Sequence, residues 1–150
     1  MLALSLVLSY VEVLVPIPLG IPGAKLGLAN LLVLLVLYAY GAGDALLLNG
    51  MRIFLSGFLF GGMSGILYSL AGAIFSFLAM AGAKKCRIFS MTAVSVLGGV
   101  FHNIGQLAAA CIVLEGFSVL VYLPVLLVCG LVTGWLNGML ATLLDRRGIL

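Results

Sequence analysis

The stretch "SVLVYLPVLLVCGLVTGWLNGMLATL", residues 118–143, contains no charged side chain and decides the kind of fold that this chain adopts. An α-helix rises 1.5 Å per residue, so a helix over this stretch is about 39 Å long. The hydrocarbon core of a lipid bilayer is about 30 Å thick. The stretch therefore predicts a helix that crosses a membrane.

The composition extends this conclusion to the whole chain of 150 residues, of which 65% are apolar and only 7% are charged. A soluble domain has about 25% charged residues, so this chain cannot cover a surface that faces water. We expect an integral membrane protein that forms one domain over residues 1–150. The net charge of +3 rests on few basic residues, most of them at loops and ends, and it does not indicate a nucleic-acid partner.

Turn residues and charges divide the chain into six apolar runs, at residues 1–15, 26–41, 45–60, 66–83, 90–114 and 118–143. Strands of a membrane barrel alternate apolar and polar residues, and these runs do not. The sequence therefore predicts an all-α bundle of six transmembrane helices joined by short loops.

The orientation in the membrane follows from the basic residues in the loops. Lys84, Lys85 and Arg87 follow the fourth run, and Arg146 and Arg147 follow the sixth. With six spans these two places lie on the same side of the membrane, and basic loops are typical of the cytoplasmic side. We therefore expect both termini to be cytoplasmic.

Polar residues inside the runs recur at three- and four-residue steps, so each set lines one face of its helix. Small residues on such faces are typical of helix packing. An ionisable group at the middle of a bilayer costs at least about 2.5 kcal/mol, so packing alone does not explain those that occur here. The residues that we expect to line an outward-facing cavity under the first loop are Glu12, Lys25, Asn30, Arg52, His102, Asn103 and Gln106.

This set suits a small ligand with an anionic or carbonyl-rich head, because cationic groups outnumber the one carboxylate and the amides supply donors and acceptors. An alternative is that Glu12 and Arg52 form an internal ion pair beside a histidine with satisfied hydrogen bonds. The two interpretations are compatible.

Catalysis by this chain alone is not expected. Asp44 and Asp145 lie far apart, and no cluster of carboxylates is present that could hold magnesium against a diphosphate. The single histidine and the three dispersed cysteines indicate neither a metal site nor a cofactor. No phosphate-binding loop of the ATPase type occurs.

Three stretches carry a family resemblance: "PGAKLGLANLLVLLVLYAYG" at 22–41, "MRIFLSGFLFG" at 51–61 and "SVLGGVFHNIGQLAAA" at 95–110. Through them the chain resembles a bacterial family called Gx transporter, or heptaprenyl diphosphate synthase component I. That family in turn is similar to the substrate-binding S components of energy-coupling factor transporters. Those are six-helix membrane proteins with an outward-facing pocket under the first loop, and they partner with a transmembrane coupling protein and two ATPases.

The resemblance implies a substrate-binding transport protein of the bacterial inner membrane. It places Lys25, Asn30, Arg52, His102, Asn103 and Gln106 in the pocket. It also implies that the coupling protein docks against the first helix, where Ser5 and Ser9 form a pair of small residues. The synthase name implies an alternative, a non-catalytic membrane subunit in isoprenoid-quinone synthesis that accompanies a soluble prenyltransferase.

Overall fold

The computed structural model describes residues 1–14, 27–113 and 116–148. They form six α-helices: α1 Leu2–Leu14, α2 Leu28–Ala39, α3 Ala42–Ser56, α4 Gly62–Cys86, α5 Met91–Val113 and α6 Leu123–Arg146. A π-helix, Gly57–Gly61, continues α3, and a 3-10 helix, Phe117–Tyr122, precedes α6. No strand occurs in these three ranges. The prediction of an all-α, six-helix bundle is confirmed.

The predicted break between the second and third helices is shorter than expected. Residues 41–44 were predicted to separate the second and third helices, but α3 already begins at Ala42, after Gly41. The backbone oxygen of Gly41 accepts a hydrogen bond from the amide of Ala45, and Asp44 lies in the first turn. A carboxylate there is favoured by the helix dipole, which explains why these residues start the helix.

Four helices are long and apolar enough to cross a membrane: Ala42–Phe60, Gly65–Cys86, Met91–Val113 and Phe117–Arg146. Helices α1 and α2 are shorter, with 13 and 12 residues in the described part of the chain. Large apolar side chains such as Leu47, Leu78 and Val121 are exposed on the outside of the bundle. Such a surface suits lipid and not water, so the chain is an all-α membrane protein.

The core is built around α2, which contacts α1, α3, α5 and α6. Its residues from Leu32 to Leu37 are buried without interruption, so this helix is surrounded by protein on every side. A helix that is apolar all round is the type that occupies such a central position.

Helices α5 and α6 approach each other closely through glycines. A Cβ atom on Gly99 would lie 2.5 Å from the backbone oxygen of Gly130, and one on Gly130 would lie 2.8 Å from that of Gly99. Gly134 and Gly138 extend the contact along α6, each against the backbone of α5. These glycines have the packing role that is typical of small residues at helical spacing, because no side chain fits between these backbones.

One end of the bundle carries five basic residues, Lys84, Lys85, Arg87, Arg146 and Arg147, and we call it the basic end. Lys84 donates a hydrogen bond to the backbone oxygen of Leu37, and its ammonium lies 4.9 Å from the centre of the Tyr38 ring. The last turn of α2 is therefore held to the last turn of α4. The cytoplasmic location of the basic end stays a prediction, which rests on the positions of the basic residues.

Candidate functional site

A polar cavity of about 60 Å³ lies at mid-height in the bundle and toward the end opposite the basic end. All six helices contribute to its wall. Its described polar lining consists of Ser9, Glu12, Asn30, Arg52, Ser56, Ser69, His102, Asn103, Gln106 and Thr133. A cavity of this volume has room for about four to six water molecules, so it suits a small ligand.

Six of the seven predicted site residues line this cavity, namely Glu12, Asn30, Arg52, His102, Asn103 and Gln106. Lys25 lies outside the described residues. The helical spacing of polar residues thus brings together side chains from α1, α2, α3 and α5 that are far apart in the sequence. That these residues bind a ligand stays a prediction.

Arg52 is the most costly of these groups, because its guanidinium lies in the interior of a membrane protein and the residue is only 8% exposed. Its Nη2 donates a hydrogen bond of 2.7 Å to Oδ1 of Asn49, one turn earlier on α3. Its Nε has no hydrogen-bond partner among the described residues. A guanidinium has five N–H donors, so this side chain can donate to a ligand without releasing Asn49.

Glu12 holds α1 against the start of α2. Its Oε1 accepts a hydrogen bond from the backbone amide of Leu28, the first residue of α2. Gly27, the residue before α2, has no side chain that could cap this helix. The carboxylate of Glu12 therefore accepts the hydrogen bond of a helix cap in its place. Glu12 also attracts the guanidinium of Arg52 electrostatically. The Glu12 carboxylate therefore binds the backbone of α2 and attracts a side chain of α3.

The start of α2 is held on its other side by α6. Gly27 has a φ of +67°, a left-handed conformation that favours glycine. In this conformation its backbone oxygen accepts hydrogen bonds from the side chain of Asn137, at 2.7 Å, and from the amide of Asn30, at 2.9 Å. The backbone that carries Asn30 into the cavity is thus fixed by two neighbouring helices.

Helix α5 presents three polar side chains to the cavity, His102, Asn103 and Gln106. Nδ2 of Asn103 donates a hydrogen bond of 2.6 Å to the backbone oxygen of Leu126, which leaves the Asn103 carbonyl oxygen to accept from a ligand. Opposite them, a Cβ atom on Gly72 would lie 2.9 Å from Cε1 of His102 and 2.8 Å from Cγ of Gln106. Gly72 therefore provides the space that these two side chains occupy.

A comparison with protein-family models decides the family. The model described as heptaprenyl diphosphate synthase component I matches residues 1–144. The chain belongs to this family. The match confirms the resemblance that the sequence carries, over nearly the whole chain. No curated protein and no solved structure matches this member of the component I family.

Sequence reasoning missed part of the component I cavity. Ser9, Ser56, Ser69 and Thr133 also line it. Their helical spacing with the predicted residues was the signal that could have identified them, but small hydroxyl residues are equally typical of helix packing.

Phe60 also lines the cavity and was missed, and it has no such signal in the sequence. It belongs to the π-helix that continues α3, it lines the cavity, and its ring lies 4.9 Å from that of Tyr10 at an angle of 43°. A π-helix adds a residue to the turn and so rotates the side chains that follow it, which a regular helical period does not predict.

That a coupling partner docks at Ser5 and Ser9 stays a prediction, and in this component I chain the pair faces the interior. Both residues are buried, and the hydroxyl of Ser5 donates a hydrogen bond of 2.7 Å to the backbone oxygen of Leu2. The exposed side of α1 carries Leu4 and Val7 instead. Small hydroxyl side chains let α1 pack closely on the bundle, which is the other role that such a pair has.

Proposed function

We propose that this chain is a membrane-embedded binding protein for transport, which captures a small molecule from the outer side in the cavity shared by its six helices. The observation that carries the proposal is the buried guanidinium of Arg52 in the wall of this polar cavity. Charged groups inside membrane proteins are costly and usually mark the path or the site of a ligand. Asn49 satisfies only part of the hydrogen-bonding capacity of Arg52.

The chemistry of the lining supports a ligand with an anionic or carbonyl-rich head. Arg52 offers N–H donors, and the amides of Asn30 and Gln106 offer both donors and acceptors. The volume of about 60 Å³ limits the part of the ligand inside the cavity to about four to six non-hydrogen atoms.

Charge supports the direction of capture. Five basic residues lie at one end of the bundle, and the cavity lies toward the other end. If the basic end is cytoplasmic, as basic loops usually are, the cavity takes its ligand from the outer side. We infer a location in the bacterial inner membrane, with both termini in the cytoplasm.

Energy for transport would come from other chains. The sequence has no phosphate-binding loop of the ATPase type. The resemblance to S components of energy-coupling factor transporters supports a coupling protein with two ATPases as the partner. Ser5 and Ser9 are buried, so such a partner would have to use other residues.

The description of the matching family model favours a second candidate function. It describes a component of heptaprenyl diphosphate synthase. Under this alternative the chain is a non-catalytic membrane subunit that accompanies a soluble prenyltransferase, and the cavity is an internal polar cluster that stabilises the fold.

Native mass spectrometry of gently purified protein tests the proposal. A co-purified molecule should appear as a mass adduct on the wild-type chain. Ser69→Leu places three additional carbon atoms in the cavity wall and should remove the adduct, whereas Cys86→Leu, at an exposed position at the basic end, should keep it. An adduct that persists in Ser69→Leu, or a wild-type chain without any adduct, would favour the subunit alternative.

A further inference from the structure

An apolar groove runs along the outside of the bundle between α4 and α5 and ends at the basic end. Its floor is formed by the small side chains of Ala79 and Ala83, and its walls are formed by large exposed ones, among them Phe75, Leu78 and Phe101. The groove shares no described lining residue with the polar cavity. It is therefore a separate feature of the molecule, which the proposed function does not use.

The length of the groove matches one leaflet of a bilayer. Phe75 and Cys86 are the first and last residues of α4 that line it, and they are about 16 Å apart along the helix axis. Half of the hydrocarbon core of a bilayer is about 15 Å thick. A lipid whose headgroup lies at the basic end can therefore lay an acyl chain along the groove through the whole depth of its leaflet.

A basic residue stands where the headgroup of such a lipid would lie. Arg87 follows Cys86 directly and precedes Phe89 by two residues, and both of these neighbours line the groove. Successive Cα atoms are only about 3.8 Å apart, so the exposed side chain of Arg87 is within reach of the end of the groove. A guanidinium binds a phosphate group through two parallel N–H groups, which suits a phospholipid headgroup.

The backbone of Arg87 supports a role for its side chain. Among the described residues, Arg87 is the only non-glycine residue with a positive φ, +57°. It follows the last residue of α4, a position where glycine is the usual residue, and its amide donates a hydrogen bond of 3.2 Å to the backbone oxygen of Lys84. Residues in such strained conformations cluster at functional sites. An arginine where glycine would be less strained therefore indicates that the guanidinium is used.

We propose that this groove binds a phospholipid with a net negative headgroup, whose phosphate is bound by Arg87 and one of whose acyl chains lies between α4 and α5. The other basic residues of the basic end favour a negatively charged lipid over a neutral one, because they attract anionic headgroups to this surface. The inference is independent of the proposed function, since a bound lipid at the outside of the bundle is compatible with both candidate functions.

The melting temperature of the purified chain, stripped of lipid in an uncharged detergent, tests the proposal. Three probes are titrated at constant ionic strength: phosphatidylglycerol, phosphatidylcholine with the same acyl chains, and inorganic phosphate. We expect phosphatidylglycerol to raise the melting temperature of the wild-type chain more than phosphatidylcholine does, and phosphate to leave it unchanged. Arg87→Gln should weaken phosphatidylglycerol binding by about tenfold or more, because it removes a charged hydrogen-bonding partner. Arg147→Gln removes the same charge from the same end but away from the groove, and it should keep the wild-type response.

Two further variants separate lipid binding from stability. Arg87→Gly should melt close to or above the wild-type temperature without lipid, because glycine adopts this backbone conformation without strain, and it should lose the response to phosphatidylglycerol. Leu78→Ser shortens an exposed wall of the groove and should weaken the binding of the same lipid several-fold. Ile74→Ser, at an exposed position one turn earlier on α4 and outside the groove, is its control.

Phosphatidylcholine that stabilises the wild-type chain as much as phosphatidylglycerol does would overturn the proposal, and so would equal losses in Arg87→Gln and Arg147→Gln. Stabilisation by inorganic phosphate alone to the same extent would show a site for a free anion instead. A phospholipid is far heavier than a molecule that fits a cavity of about 60 Å³, so the mass of an adduct distinguishes this site from that of the proposed function.

Discussion

Arg52 shows what a single residue contributes to predicting a site. An arginine within an apolar run is costly enough that the sequence alone assigns it to a polar interior, and the structure places it in the wall of a cavity. Its hydrogen bond to Asn49 follows from their i, i+3 spacing on one helix. The hydrogen bond between Glu12 and the amide of Leu28 could not be predicted, because it joins two helices and depends on how they pack.

Lys84 allows a test at the same scale. Lys84→Met removes the hydrogen bond to the Leu37 carbonyl and the contact with the Tyr38 ring. We expect a loss of about 1–2 kcal/mol in the free energy of unfolding, because both contacts involve a charge at a partly buried position. Thermal unfolding in detergent measures it.

Lys85→Met is the matched control for that test, since Lys85 is exposed and on the next residue of the same helix. Its melting temperature should stay close to that of the wild-type chain. Equal losses in the two variants would show that the charge of the basic end, and not the contact with α2, is what stabilises the bundle.

At the scale of elements, the periodic parts of the sequence were predictable and the irregular parts were not. The apolar runs predicted six helices, and small residues at helical spacing inside these runs indicated faces that pack against other helices. The π-helix Gly57–Gly61 was predicted only as part of an ordinary helix, and it places Phe60 in the cavity wall. A local change of helical period depends on the contacts of that segment, which the sequence does not contain as a pattern.

The α5–α6 contact makes a prediction that depends on packing distance. Gly130→Ala introduces a Cβ atom 2.8 Å from the backbone oxygen of Gly99, so the two helices must move apart. Overpacking of this kind costs about 1–3 kcal/mol. We expect a lower melting temperature and weaker native packing between these helices.

The control for this change is Gly50→Ala on α3, where an added Cβ atom meets no atom within 4 Å. Alanine favours a helix over glycine by up to about 1 kcal/mol, so this variant should be as stable as the wild-type chain or slightly more so. If Gly130→Ala were equally harmless, the glycine contact would not be what fixes the distance between α5 and α6.

At the scale of the whole molecule, the two ends of the bundle differ in charge. The basic residues lie at one end, and the cavity lies toward the other. Composition was sufficient to predict a membrane protein, and four of the helices are long and apolar enough to span a bilayer. The closure of a cavity by all six helices could not be derived from composition or periodicity, because it requires their arrangement in three dimensions.

The orientation of the bundle is testable through Cys86, which is exposed at the basic end. In a variant whose other two cysteines are replaced by alanine, a membrane-impermeant maleimide should label Cys86 only after the cells are permeabilised. A cysteine placed at Met63, which is exposed at the opposite end, should react in intact cells. Labelling in the reverse order would place the cavity toward the cytoplasm.

The family description leads to a prediction about activity. We expect the purified chain, given magnesium, an allylic diphosphate and isopentenyl diphosphate, to produce no elongated prenyl chain, since Asp44 and Asp145 are far apart in the sequence and no other aspartate is present. Product analysis by chromatography measures it. Elongation by a preparation free of other chains would contradict this expectation.

The central claim, that Arg52 anchors a ligand, is tested most directly by a double-mutant cycle of Arg52→Gln and Glu12→Gln. Melting temperature and retention of the co-purified ligand are measured for the wild-type chain, both single variants and the double variant. Our account predicts that Arg52→Gln folds but binds its ligand about tenfold to a hundredfold more weakly, and that adding Glu12→Gln does not restore binding. Unchanged ligand binding in Arg52→Gln, with a loss of stability that the double variant recovers, would show instead that Arg52 serves only as the partner of Glu12.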